Sequence, residues 1–260
     1  MKKLYIAGHK GMVGSSILRE LSKNNYQKEI ITTSKEELDL TNQRDVFNFI
    51  KTKKPEEIII AAAKVGGIYA NNEYSGEFIY DNLQIYSNLI HSAYLNKVSK
   101  LLFLGSSCIY PRDTNQPIIE DQLLTGSLEK TNEWYAISKI AGIKLCQAYR
   151  KQYNCNFISA MPTNLYGQND NYHLENAHVI PALIHRAYIA KKNGDSNLII
   201  WGTGKVKREF LYVDDLAEAC MFLMENYSEG SPINVGTGKE ISIIDLAGLI
   251  CEVVGFRGNL

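Results

Sequence analysis

The sequence is poor in the features that mark secreted, metal-binding or nucleic-acid-binding chains. Its 5 cysteines in 260 residues (Cys108, Cys146, Cys155, Cys220 and Cys251) are odd in number and include no C-x-x-C pair. That pattern argues against a disulfide framework or a zinc knuckle and fits reduced thiols in a cytoplasmic protein. The 5 histidines form no H-E-x-x-H or similar group, so no metal is expected. Excess charge of one sign is also missing, since 28 Lys and Arg balance 28 Asp and Glu. No net field draws the chain to nucleic acid or to an anionic membrane. The apolar runs fall far short of a bilayer span, and the one behind the first lysines is too short for a signal peptide.

What is present is a core-sized supply of apolar residues, 45% of the chain, in a regular rhythm. "KLYIAG" reads as a strand and "MVGSSILRELSKNN" as a helix, with Val13, Ile17, Leu18 and Leu21 on one face. "EIITTS" reads as a strand, "TNQRDVFNFIKTK" as a helix capped by Thr41, and "EEIIIAAA" as a third strand. A long helix over Glu77 to Asn96, the strand "KLLFLG", a helix over Glu133 to Tyr153 and the strand "NFISAMP" follow. Strands and helices in strict turn predict an α/β fold, a doubly wound, Rossmann-like parallel sheet, and the unalternating strands fit burial on both faces.

Beyond Pro162 the rhythm loosens. "TNLYGQNDNYHLENAH" reads as a polar loop, with a helix near His178 to Lys192 after it. "NLIIWGTG", "REFLYV" and "SPINVGTG" read as strands, and "DDLAEACMFLMEN" and Ser242 to Val254 as helices. The expected division is a dinucleotide-binding domain over 1–165, which carries the Glu133 helix. The rest, 166–260, is mainly a smaller substrate lobe interleaved with that domain, without a hinge peptide.

"GHKGMVG" places Gly8, Gly11 and Gly14 between a strand and a helix. The first allows a tight turn, the second lets a phosphate approach the backbone, and the third packs helix on strand. Where an NAD site usually has a carboxylate at the end of the second strand, this chain reads "TTSK". Lys10 and Lys35 can instead pair with a 2′-phosphate, so NADP(H) is the expected cofactor. "GTGKV" and "GTGKE" resemble P-loop fragments, but neither has Ser or Thr after the lysine to hold magnesium, so both are expected to be turns.

"YAISK" puts Tyr135 and Lys139 on one helical face, downstream of a strand that ends in "GSS". Tyrosine ordinarily titrates near about 10, and a neighbouring ammonium is expected to lower that value and make the hydroxyl a usable acid and base. Ser106 can reach the same carbonyl oxygen as a second donor. Taken alone, Cys108 reads equally as a small buried hydrophobe and His178 as a capping residue.

Together "GHKGMVG", "GSS" and "YAISK" resemble the extended short-chain dehydrogenase/reductase family of nucleotide-sugar enzymes. The blocks "AAAKVGGIYANN", "LLFLGSSCIYP", "YAISKIAGIKLC", "MPTNLYG", "HVIPALI" and "INVGTG" extend the resemblance along essentially the whole chain. They resemble the members that take a GDP-linked 4-keto-6-deoxy-mannose, invert C3 and C5, and reduce C4 with NADPH. The resemblance implies that Ser106, Cys108, Tyr135, Lys139 and His178 are catalytic, with Cys108 and His178 passing protons during epimerisation. Both inverted carbons flank the C4 ketone, which acidifies their protons, so two groups facing each other across the ring suffice.

The resemblance also implies cofactor contacts from His9, Met12 and Val13 in the glycine loop, from Asp39 and Leu40, and from Leu104 and Gly105. Pro162, Thr163, Asn164 and Leu165 would lie beside the nicotinamide, with Lys139 and His178 also near it. Arg186, Trp201 and Arg208 would meet the nucleotide sugar, whereas spacing alone leaves the arginines as solvated charges and Trp201 as core packing. Residues 71–96 and the Tyr135 helix would form a homodimer contact. Family members continue several dozen residues further, so the substrate lobe is expected to be truncated. Two alternatives stay open: a 4-reductase acting on a GDP-linked deoxyheptose without epimerisation, and an NADP-binding module without turnover. A 4,6-dehydratase is set aside because "SSC" supplies no acidic pair.

Overall fold

The computed structural model describes residues 2–23, 26–173 and 177–260. In chain order the first half builds β1 (Lys2–Ala7), α1 (Met12–Lys23), β2 (Lys28–Ile31), α2 (Gln43–Lys53), β3 (Glu57–Ile60), α3 (Ile68–Glu73), α4 (Ser75–Leu95) and β4 (Lys100–Leu104). The second half adds α5 (Glu133–Tyr153), β5 (Phe157–Pro162), β6 (Asn164–Tyr166), α6 (Val179–Asn193), β7 (Lys207–Tyr212), α7 (Val213–Asn226), β8 (Ile233–Val235), β9 (Glu240–Ser242) and α8 (Ile243–Val254).

Six strands form one sheet in the order β2-β1-β3-β4-β5-β8, parallel throughout. Every residue of β3, β4 and β5 is buried, as the unalternating apolar runs predict. Tyr5, Ile58, Ile60, Leu101 and Phe103 face a core shared with α2, α4 and α5. Leu4, Ile6, Ile59, Leu102 and Leu104 face the opposite core, shared with α1 and α7. Each fully buried large aliphatic side chain contributes about 1.5–3 kcal/mol, so these two layers dominate the stability. Strand order reverses at β1, because the chain goes to β2 on one side and then to β3 on the other. A crevice at the carboxyl end of β1 follows from that reversal.

The chain then leaves this sheet and returns to it. β6, β7 and β9 form a second, three-stranded sheet, parallel between β6 and β7 and antiparallel between β7 and β9. It carries its own core, in which Ile180 and Leu183 of α6 meet Leu246 and Ile250 of α8. Between these pieces, α7 and β8 rejoin the six-stranded layer, so the chain crosses between the units after β5, before α7 and after β8. Hydrogen bonds fix the crossings. Thr163 N donates to the Val235 carbonyl at 3.1 Å. Thr163 Oγ1 and Asn164 Nδ2 both donate to the Glu209 carbonyl, at 3.0 and 2.9 Å. At the start of α7, Asp214 Oδ1 accepts from Ser16 Oγ at 2.6 Å and Arg19 Nη2 at 2.5 Å, which fastens α7 to α1.

Several sequence expectations need correction. Asn42, and not Thr41, caps α2: its side chain accepts from Arg44 N and Asp45 N, while Thr41 is occupied with Asp39. The long helix starts at Ser75, before the expected Glu77, with α3 just ahead of it. "NLIIWGTG" forms no strand beyond an isolated bridge from Asn197 to Asn259. Leu198 and Ile200 face the core between α6 and α8 while Ile199 and Trp201 are exposed, and Gly202 and Gly204 take positive φ, which turns the chain away before a strand can pair. The supposed loop after Pro162 contains β6, and β9 follows the strand expected at "SPINVGTG". Residues 24–25 of the expected first helix and 174–176 of that loop lie outside the described residues. Both "GTGK" runs are turns, the second held by Glu209 Oε1, which accepts from Gly238 N at 2.7 Å.

Gly142 of α5 lies directly on Phe103, where an added Cβ would sit 2.3 Å from the ring. Alanine in a helix gains about 1 kcal/mol over glycine, but overpacking a fixed ring costs about 1–3 kcal/mol, so the clash should win. Gly142→Ala is expected to lower the urea unfolding free energy by about 1–2 kcal/mol. An unchanged or higher midpoint would show that Phe103 can move aside.

Candidate active site

A cleft of about 710 Å³ lies at the carboxyl ends of the six-stranded sheet. It runs from the glycine loop after β1, past the end of β4, to the start of α6. Its size is that of a ligand site.

At one end the backbone itself makes the wall. Gly8 has φ +87°, and a Cβ on it would lie 2.6 Å from Ala62 N. A Cβ on Gly14 would lie 2.2 Å from the Gly8 carbonyl oxygen, so only glycine lets α1 approach β1 this closely. Gly11 differs, because an added Cβ there would meet only the Gly8 oxygen, at an ordinary 3.5 Å. The protein does not require a glycine at that point, whereas a diphosphate seated on the α1 N-terminus does. The loop thus fits a dinucleotide.

Past β2 the acidic side chains are already engaged. Glu37 accepts from Ser34 N at 2.7 Å, Asp39 accepts from Thr41 N at 2.9 Å, and Glu36 faces Lys10 at 3.9 Å. Lys35 lines the cleft beside Thr33 and Ser34. A lysine in the lining beside carboxylates that are already occupied suits a 2′-phosphate better than a bare ribose hydroxyl pair.

At the other end, β4 and α5 build a second cluster. Leu104 closes β4, Ser106 follows in extended conformation, and a short turn over Ser107–Ile109 carries Cys108. Ser106 Oγ accepts from Cys108 N at 3.5 Å, which ties the serine to that turn. Tyr135 lies in the first turn of α5, with Lys139 one turn on. Lys139 is buried. Its Nζ donates to the Leu104 carbonyl at 2.6 Å and lies 5.0, 5.2 and 5.6 Å from the ring centres of Tyr86, Phe103 and Tyr135.

The expected effect of Lys139 on Tyr135 is corrected here. Burial raises the Tyr135 pKa above that of ordinary tyrosine, with nearby Cys108 adding to the effect, and lowers Lys139 to about 7. Desolvation favours the neutral form of both groups and outweighs their attraction. Cys108 is likewise pushed up by burial, against the opposing influence of Ser106 and Lys139. His178 stands at the N-cap of α6, but its side chain makes no capping bond, which removes the simple capping role. Surrounding atoms lower its pKa although its surface stays accessible, and Asp170 opposes that shift.

Most of the candidate residues meet in this cleft. Gly8, Gly11, Met12, Val13, Lys35, Asp39 and Leu40 line one end. Leu104, Gly105, Ser106, Tyr135, Lys139, His178 and the stretch from Pro162 to Leu165 line the other. Gly14 packs behind the loop, and His9 and Lys10 lie outside the lining. Cys108 lies outside the lining, tied to Ser106 and close enough to influence Tyr135, Lys139 and Tyr86. Arg186, Trp201 and Arg208 also lie outside the lining. The Arg186 guanidinium lies 4.4 Å from the centre of the Trp201 ring, and Trp201 is 70% exposed, which overturns the core-packing reading.

Sequence reasoning missed Lys64, which lines the cleft and pairs with Glu77 and, at 3.1 Å, with Asp81. Its place just past β3, at a carboxyl strand end, was the available signal. Among the described residues no cluster of His, Cys, Asp or Glu could hold a metal, and no helix is long and apolar enough to cross a membrane.

A family model described as the NAD dependent epimerase/dehydratase family matches residues 4–236. GDP-L-fucose synthase 1 of Arabidopsis thaliana is 58% identical over 258 residues, 99% of this chain and 80% of that protein. A GDP-mannoheptose C4 reductase from Campylobacter jejuni, solved with NADP bound, superposes with a TM-score of 0.91 at 36% identity, over 100% of this chain and 87% of its own. A GDP-L-fucose synthetase from Naegleria fowleri, solved bound to NADP, gives a TM-score of 0.93 at 29% identity, over 99% of this chain and 79% of its own.

Lys139 carries a pH signature. Its folded pKa of about 7 lies below the unfolded value of about 10.5. Between these values the unfolded chain binds more protons, so this residue's contribution to stability rises with pH across that window. Relative to Lys139→Met, which has no such proton, the wild type should gain stability from pH 7 towards pH 10 in urea titrations. A constant difference would show that the amine keeps its ordinary pKa.

Proposed function

The chain belongs to the NAD dependent epimerase/dehydratase family, and we propose that it inverts C3 and C5 of a GDP-linked 4-keto-6-deoxy-mannose and reduces C4 to give GDP-L-fucose. It is an NADP-dependent nucleotide-sugar epimerase and reductase. The observation that supports this reading is the shared end of the cleft, where two hydroxyl donors, a buried amine and an imidazole converge, with the Cys108 thiol close to Ser106 and Lys139.

Epimerisation and reduction put negative charge on the same atom, the C4 oxygen. Removing the C3 or C5 proton sends the C–H electron pair into the ketone, and Ser106 and Tyr135 donate hydrogen bonds to the resulting enolate. Cys108 and His178 are the groups that take a proton from one face of the ring and return one to the other. His178, open to solvent, can exchange its proton with water between turnovers. Bound NADPH supplies hydride to C4. Tyr135 then gives its phenolic proton to the C4 oxygen, and its raised pKa keeps that proton in place at neutral pH until the alkoxide forms. Lys139, paired to Leu104, is the charge that receives the phenolate.

In this reading residues 1–165 mainly hold the cofactor and 166–260 mainly hold the sugar, with Arg186, Trp201 and Arg208 meeting the nucleotide. Exposed Tyr80 and Leu95 on α4 and Tyr153 on α5 support a homodimer through those helices, and the unpaired cysteines support a cytoplasmic location. Reduction of a GDP-linked heptose without epimerisation is the second reading, favoured by the likeness to the heptose reductase. Cys108 and His178 argue against it.

The test is incubation with NADPH and GDP-4-keto-6-deoxy-mannose in deuterated water, with NMR and mass analysis of the product. Wild type should place deuterium at C3 and C5 and turn over better with NADPH than with NADH. Cys108→Ser should slow that exchange far more than it slows reduction of an already epimerised sugar. Tyr135→Phe should cut reduction by about 10²–10⁴-fold. Exchange at the native rate in Cys108→Ser would remove the thiol from the mechanism.

A further inference from the structure

The loop after β6 carries a carboxylate to which none of the roles above assigns work. Asp170 closes a tight turn by donating its N–H to the Gly167 carbonyl at 3.3 Å. The turn is fastened to α1, because Asn169 Nδ2 donates to Ser15 Oγ at 3.0 Å. One carboxylate oxygen of Asp170 accepts from Asn171 N at 2.7 Å, and the other is buried with no hydrogen-bond partner. A buried carboxylate oxygen without a donor is costly, and proteins rarely leave one so. His178 presents the complementary deficit, since its ring makes no bond to its own helix.

We propose that Asp170 is a positioning residue for His178, its open oxygen receiving a ring N–H so that the opposite nitrogen faces the sugar, a base while the ring is neutral and an acid once it has taken up a proton. The inference rests on His178 passing protons during epimerisation. No hydrogen bond joins the two groups in this structure, but they lie close enough for His178 to lower the Asp170 pKa and for Asp170 to raise that of His178. Hydrogen bonds of this kind are often long in an empty site and tighten once substrate fills it. The turn's attachment to Ser15, one helical turn into the segment that follows the glycine loop, also sets the carboxylate relative to the cofactor end of the cleft. The chemistry requires this orientation because a neutral imidazole with a free choice of tautomer turns its N–H, and not its lone pair, to the sugar part of the time.

The experiment compares wild type, Asp170→Asn, Asp170→Glu and His178→Asn in two assays: deuterium exchange at C3 and C5, and NADPH-dependent reduction of an already epimerised 4-keto sugar. Asp170→Asn is expected to lower exchange by about 10- to 100-fold, part of the roughly 10²–10⁴-fold that a positioned acid or base supplies, with a much smaller effect on reduction. Asp170→Glu should recover part of the exchange. Native exchange in Asp170→Asn alongside loss in His178→Asn overturns the inference and leaves the proposed function standing. Equal loss of exchange and reduction in Asp170→Asn also overturns it, by showing a loop that only supports the fold. Native exchange in His178→Asn overturns the proton role of that histidine, and the inference with it.

Discussion

The geometry of the cleft depends on one buried contact, the Lys139 amine on the Leu104 carbonyl at 2.6 Å. An ammonium held inside a protein costs several kcal/mol unless it is paired. A charge-assisted hydrogen bond of about 1.5–3 kcal/mol and ring faces worth about 0.5–2 kcal/mol offset much of that here. The remaining cost shows as the fall of the lysine pKa to about 7. Because the amine has only this niche, it fixes how α5 sits against the end of β4. Rotating α5 by one residue would turn its face by about 100° and carry Tyr135 away from Ser106.

Burial moves the reactive groups in a common sense. Tyr135 and Cys108 are pushed up and Lys139 is drawn down, so the resting cleft tends to neutrality. A neutral phenol is the right starting state for an enzyme that must give a proton to an alkoxide, and a poor one for the reverse reaction. The same low polarity strengthens each hydrogen bond to a developing oxyanion. One pair of donors can then serve two chemically different steps, because both load charge onto the same oxygen.

Much of this was legible in the sequence, for physical reasons that can be traced. Strands such as "EIII" and "KLLFL" are apolar at every position after a charged first residue, a pattern that suits a sheet covered on both faces. Glycines 8 and 14 announced a close backbone approach that the Cβ distances bear out. The spacing of Tyr135 and Lys139 placed them on one face, but spacing carries no information on desolvation, so the direction of the tyrosine shift was read the wrong way. "NLIIWGTG" misled because Leu198 and Ile200 pack into the core of the second unit without pairing in a sheet, while Ile199 and Trp201 stand exposed. Lys64 and Asp170 escaped notice because their partners are distant in sequence or belong to another loop.

The three passages of chain between the two sheets bear on how ligands enter and leave. Units joined by a single strap can swing open like a jaw. Units stitched through Thr163 and Asn164 to Glu209 can only slide or rock against one another by small amounts. Traffic through the cleft therefore falls to the loops along its rim, and the rate of product escape should be governed by those loops more than by any wide parting of the halves.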